Sequence, residues 1–292
     1  MSDNTSPTRV ISSRVSVRQR LVDIWRYREL LVGLVRKELK VKYKNSILGF
    51  LWSMLNPALY LVVFYVVFQK ILKNGIPDFA IFLVSGLLVW NLFSTAVPGA
   101  TGSIVGNSAI VKKVAFPREI LALANVGAAL VHFFLQTVVM FLALAIFRFP
   151  PSPGYLLLLP VALFALLLFS AALGVLLSAV NVYLRDTQHL LELVLLAWFW
   201  GTPIVYPYRQ VSDRLKGNAW IYRLNPITPI VLTFQRAIYV HVSWKGKDLL
   251  AAGVNWHWYM GHLIGVIVLS FVLLLVAMHV FGRLEGNFAE EL

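Results

Sequence analysis

The residues of this 292-residue chain that could do chemistry are few and poorly spaced for it. Cysteine is absent, which removes thiol nucleophiles, thiolate metal ligands and disulfides together. The six histidines, His132 among them, are scattered without ligand spacing, so no metal site is expected. Acid–base or metal-assisted sugar transfer needs placed carboxylates. The thirteen acidic residues form no D-x-D pair, and Asp213 and Asp248 stand apart in one loop. No H-E-x-x-H or serine-centred elbow occurs either. Gly246-Lys247 is followed by Asp248 and lacks the upstream glycine of G-x-x-x-x-G-K-[ST], so nucleotide phosphates have no cradle here. The expectation is a chain that is no enzyme and carries no cofactor of its own. An integral membrane glycosyltransferase is thereby disfavoured.

The elements around these residues account for their scarcity. The chain is 59% hydrophobic and 13% charged, against about 25% charged in soluble domains, and its mean hydropathy is +0.75. That composition predicts an all-α integral membrane protein. The net charge of +13 clusters beside apolar runs, where it fixes topology and meets anionic lipid, so nucleic acid is not expected as a partner. The first 46 residues hold no apolar run of signal-peptide length.

A spanning helix needs about 20 apolar residues, and six segments meet or approach this: 51–72, 79–100, 119–147, 155–183, 189–206 and 257–281. Eleven Lys and Arg precede the first span and only two, Lys70 and Lys73, lie around its far end, which places the N-terminus in the cytoplasm. Six crossings return the C-terminus to the same side. The expected organisation is a disordered tail at 1–13, a cytoplasmic amphipathic segment at 14–46 and a six-helix transmembrane domain at 47–292. Its outer loop, 207–256, contains a run at 225–240 too short to span, expected to lie in the interface or to re-enter the membrane.

Two cytoplasmic stretches are two-faced. In Glu29–Lys44, Leu30, Leu31, Leu34, Val35 and Val41 oppose Arg36, Lys37, Lys40 and Lys44, the pattern of an interfacial helix. It is either a lipid anchor alone or also touches a cytoplasmic partner. In NSAIVKKVAFPREI, Ile110, Val111 and Val114 oppose Lys112 and Lys113, and Asn107 or Ser108 is placed to cap the helix. Phe116 precedes a proline and is disfavoured from helix. Pro117, Arg118 and Glu119 then suit the first turn of a new one. This loop either marks the inside face or docks a partner.

Within the bilayer, Asn125, His132 and Gln136 form a polar stripe on the third span, read either as an interhelical seam or as conduit lining. Trp198, Trp200, Tyr206 and Tyr208 cluster near the end of the fifth, as an interfacial aromatic belt or as flat surfaces for sugar rings.

LVRKELKVKYKNSILGFLWSMLNP, VKKVAFPREIL, WFWGTPIVYP and LNPITPI occur in that order along the chain. Together they resemble the membrane subunits of type-two ABC exporters of O-antigen, teichoic acid, galactan and related lipid-linked surface polysaccharides. The resemblance implies a bacterial inner-membrane permease that pairs with a second copy of itself and two ATP-binding subunits. Those subunits hold ATP and magnesium, and the substrate is a polyprenyl-linked glycan. It also implies that Ile110 to Phe116 is the helix docking the ATPase, Pro117 its hinge, and Arg118 with Glu119 the start of a lever. A drug or antibiotic exporter of the same architecture is the alternative, made less favourable by the FPRE-type motif.

Overall fold

A computed structural model describes residues 17–44, 51–72, 76, 78–215, 218, 220–239, 243–244, 247–248, 250 and 255–292. The tail at 1–13 and most of 240–254 lie outside the described residues.

The chain is nearly all helical. Helices α1 (Val17–Arg26) and α2 (Arg28–Tyr43) precede α3 (Leu51–Phe64), which continues as a π-helical stretch over Tyr65–Ile71. Next come α4 (Phe79–Gly106), the short α5 (Ser108–Lys113) and α6 (Glu119–Ile146). A single turn, α7 (Pro153–Leu156), leads into α8 (Leu159–Tyr183), with Pro160 in the first turn, where its missing N–H costs nothing. Helices α9 (Thr187–Trp200), α10 (Tyr208–Leu215), α11 (Trp220–Arg223) and α12 (Ile227–Ile238) precede α13 (Trp256–Leu284) and a terminal turn, α14 (Phe288–Glu291). The strands among the described residues are one antiparallel pair, β1 (Ser243–Trp244) and β2 (Lys247–Asp248).

Among the described residues four units are long and apolar enough to cross a bilayer: α4, α6, α7 with α8, and α13 with its extension to Asn287. The best-buried is α4, with 78% of its span covered against 33%, 39% and 28% for the others. It is the central post. Its small residues let neighbours close in: a side chain begun at Gly99 would lie 3.0 Å from Asn125 of α6, and one at Gly174 of α8 would meet Ala100 at 2.6 Å. Ser85, Thr101 and Ser103 satisfy their buried hydroxyls on carbonyls of the preceding turn.

Two expected spans are shorter. The first is helical over 51–71 but ends in the π-helical stretch. The second, expected at 189–206, stops at Trp200, because Gly201, Pro203 and Pro207 follow. Its 14 residues cover about 21 Å, less than the roughly 30 Å hydrocarbon core. The run expected at 225–240 in the interface or re-entering does not lie on a surface. In α12, Ile227 through Gln235 are all buried, packed on α4 and α8. Gln235 Nε2 donates to Pro203 O at 3.1 Å, and Val231 fits the space left by Gly86.

Candidate functional site

The chain turns sharply between α4 and α6, and Ala115 to Arg118 form the elbow. On α5 Val111 is buried, while Ile110, Lys112, Lys113 and Val114 are exposed. The apolar face expected of Ile110, Val111 and Val114 is therefore divided: one residue anchors the helix, and two present themselves outward beside both lysines. Phe116 packs against the core from a half-buried position. Asn107 stands at the start of α5, but its side chain does not cap that helix. Its Nδ2 donates to Ser103 O at 2.8 Å, and its Oδ1 accepts from Lys37 Nζ. The carbonyls ending α4 win the amide, and α2 is fastened to the elbow through the same residue.

Of the remaining interface-helix cations, Arg36, Lys40 and Lys44 are exposed. Leu34 is buried, and a side chain begun at Gly127 of α6 would meet Val35 at 2.8 Å. So α2 rests on α6 as well as presenting a basic face.

Beneath the elbow sits an ion cluster that sequence reasoning missed. Arg20 of α1 pairs with Glu119, the first residue of α6, and with Glu285 just past α13. Arg20 and Glu119 are buried, and hydrogen bonding to Glu285 raises the Arg20 pKa further above its already high ordinary value, with the Glu119 charge adding to it. Arg118 donates to Glu285 O at 2.7 Å and lies over the Phe288 ring, and Tyr183 OH donates to Leu284 O at 2.7 Å. Gly282 leaves room for the guanidinium, since a side chain there would begin 2.9 Å from Arg20 Nη2. Three segments far apart in sequence thus meet at Arg118–Glu119. A cleft of about 350 Å³ opens beside them, lined by Arg20, Asp23, Arg26, Tyr27, Phe116 and Pro117, among others. Next to it α1 exposes Leu21, Val22 and Trp25. The available signal was an acidic residue within a few positions of the last span, facing a basic N-terminal segment.

The polar stripe faces α4 at both ends. Asn125 packs over Gly99 and donates to Leu121 O at 3.1 Å, and Gln136 Oε1 accepts from Asn91 Nδ2 at 3.3 Å. His132 lies buried between them. The aromatic group divides. Trp198 donates to Asn225 Oδ1 at 2.8 Å and packs edge-on to Phe93, and Tyr208 is buried. Trp200 and Tyr206 instead border an open cleft of about 480 Å³ with Gln210, Arg214 and Tyr222. Tyr206 donates to Trp200 O at 2.6 Å, and burial with the neighbouring Tyr222 holds its phenol protonated well above the ordinary tyrosine range. Along α9 only Leu191 and Leu195 are buried, while Leu190, Leu193, Val194, Leu196 and Trp200 are exposed beside His189 and Glu192. Among the described residues no cluster of three or more His, Asp or Glu could hold a metal.

A central post, an elbow tied to the N-terminal helices and a buried helix following a short apolar one are the features that set this chain beside known proteins. The model of the ABC-2 type transporter family matches residues 29–239, from α2 to the end of α12. The chain belongs to the ABC-2 type transporter family. It is 34% identical to an O-antigen export system permease protein, RfbA, of Myxococcus xanthus, over 92% of this chain and 98% of that protein. It is 30% identical to an RfbA permease of Klebsiella pneumoniae, over 90% of this chain and 94% of that one. A more distant likeness, 21% over 70% of this chain and 80% of the other, is to the polysialic acid transport protein KpsM of Escherichia coli. The ABC-2 match contains the elbow and Glu119, whereas Arg20 and Glu285 lie outside it on either side.

Proposed function

We infer that this ABC-2 chain is the transmembrane subunit of an exporter that moves a polyprenyl-linked polysaccharide outward across the bacterial inner membrane. The observation that carries this is the likeness to O-antigen export permeases along nearly the whole of both chains. Energy comes from a separate ATP-binding chain holding ATP and magnesium, since this sequence has no phosphate cradle. Teichoic acid or galactan would suit the same machinery.

The topology is six crossings with both termini cytoplasmic, α3 and α9 serving as the two short ones. Two copies pair through exposed apolar surface. The bare side of α9, with His189 and Glu192 among leucines, is unfavourable against lipid and favourable against a second copy or a water-filled conduit. Two ATPase subunits dock at the elbows, one each, against Ile110, Lys112, Lys113 and Val114. Pro117 fixes the bend, and the Arg20 cluster carries displacement of Arg118–Glu119 to α1 and α13. Trp200 and Tyr206 offer flat faces to sugar rings without demanding one hydrogen-bond pattern, as a sliding polymer requires.

The test is to purify the chain with the ATPase encoded beside it and to measure ATP-dependent transfer of lipid-linked glycan into vesicles. A stable assembly of two copies of each chain that transports is the expected result. A chain that transfers sugar by itself, or an assembly that moves only small drugs, would overturn it.

A further inference from the structure

At the end of the bundle away from the elbow, a cleft of about 500 Å³ runs between the α11–α12 junction and α13. Its mouth holds Arg223, His257, Trp258 and His262. Its floor continues along α13 through Gly261, Gly265 and Val266 to Leu269, with Leu224, Pro226 and Pro229 opposite. From His257 to Leu269 the helix rises about 18 Å, close to the roughly 15 Å hydrocarbon half-thickness of a bilayer. Gly261 and Gly265 have no neighbour within 4 Å of where a side chain would begin, so the floor is an open trough. The flanking Ile264, Val268 and Val272 are exposed, as residues in contact with lipid would be.

The polar end is incomplete. Arg223 Nε is fully buried with no hydrogen-bond partner, and no carboxylate lies within ion-pair distance of Arg223 among the described residues. His262, which lines the cleft, uses Nδ1 on Trp258 O at 2.9 Å and lies with its ring tilted over Trp258, leaving Nε2 without a hydrogen bond among the described residues. A cation at the edge of an apolar belt is costly without an anion.

We propose that this cleft binds a bilayer phospholipid with an anionic headgroup, its phosphate against Arg223 and the two histidines and one acyl chain along the Gly261–Gly265 trough. Among the described residues the lining contains arginine and histidine but no acidic residue, so a choline or ethanolamine cation finds no carboxylate there to offset the repulsion of Arg223. A lipid of net negative charge is selected. The occupant enters sideways from the membrane and needs no conduit, so the site is independent of the exported substrate.

Native mass spectrometry of the purified full chain with phosphatidylglycerol or phosphatidylcholine of matched chains tests this. Wild type should retain phosphatidylglycerol roughly fivefold better, the worth of one cation beside an anionic headgroup. Arg223→Gln should erase that preference and Arg223→Lys keep it. Gly265→Leu, which fills the trough from outside the protein core, should lower retention of both lipids with the thermal midpoint unchanged. Equal retention of the two lipids by wild type, or a preference that survives Arg223→Gln, would overturn the proposal. So would displacement of phosphatidylglycerol by an equal concentration of a polyprenyl monophosphate, which would give the cleft to the lipid carrier instead.

Discussion

The two ends of the bundle are held by different forces. At the elbow end most ties involve a charged donor: Arg20 with Glu119 and Glu285, Arg118 on the Glu285 carbonyl, and Lys37 on Asn107. At the far end, apart from the local i,i+4 pair Arg209–Asp213 within α10, the ties between elements are mainly neutral and aromatic: Trp198 on Asn225, Tyr206 on the Trp200 carbonyl, and Gln235 on the Pro203 carbonyl. Charge-assisted contacts have fixed partners and are costly to leave half-made. Neutral contacts around stacked rings exchange at smaller cost. The difference suits the proposed function, in which force is received at the elbow end and a varied polymer is passed at the other.

Substitutions at each end test the contrast. Arg20→Ala leaves Glu119 buried without its cation and should cost about 3–5 kcal/mol, read by chemical unfolding in detergent, with Arg20→Lys recovering part of it. At the far end Asn225→Ala removes the acceptor of Trp198, the donor to Thr202 and the acceptor of the Ile227 N–H. It should cost about 1–3 kcal/mol by the same measurement. Tyr206→Phe deletes the neutral bond to the Trp200 carbonyl and the long contact with the Tyr222 hydroxyl, and should cost about 1 kcal/mol. Gln136→Leu, in the seam with Asn91, should cost about 0.6 kcal/mol; a much larger loss of export than of stability there would show that the stripe meets substrate. If Asn225→Ala proved as damaging as Arg20→Ala, the contrast between the ends would fail.

The four long apolar helices, the elbow and its proline were legible because each has a local cause: apolar runs of bilayer length, a 3.6-residue periodicity and the backbone limits of proline. Ile110 and Val114 facing outward were not, because periodicity finds a face but not which residue of it is covered. The Asn107 amide was misjudged because α4 and α5 compete for it, and the competitor lies upstream of the helix it seemed to cap. The shortness of α9 could have been read from Gly201 and Pro203, but its hydropathy concealed them. The Arg20 cluster joins residues separated by 99 and 265 positions, and such a pairing leaves no periodic trace. The burial of α12 likewise depends on Gly86 and the opening it leaves in α4.

The central claim is that force from an ATPase chain enters at the elbow. Because the native chain has no cysteine, a single exposed Ala115→Cys can carry a maleimide photo-cross-linker in the transporting complex, with Arg214→Cys at the far end as control. The account predicts an ATPase adduct from position 115 and none from 214. An adduct from 214, or none from 115 in a complex that still exports, would contradict it.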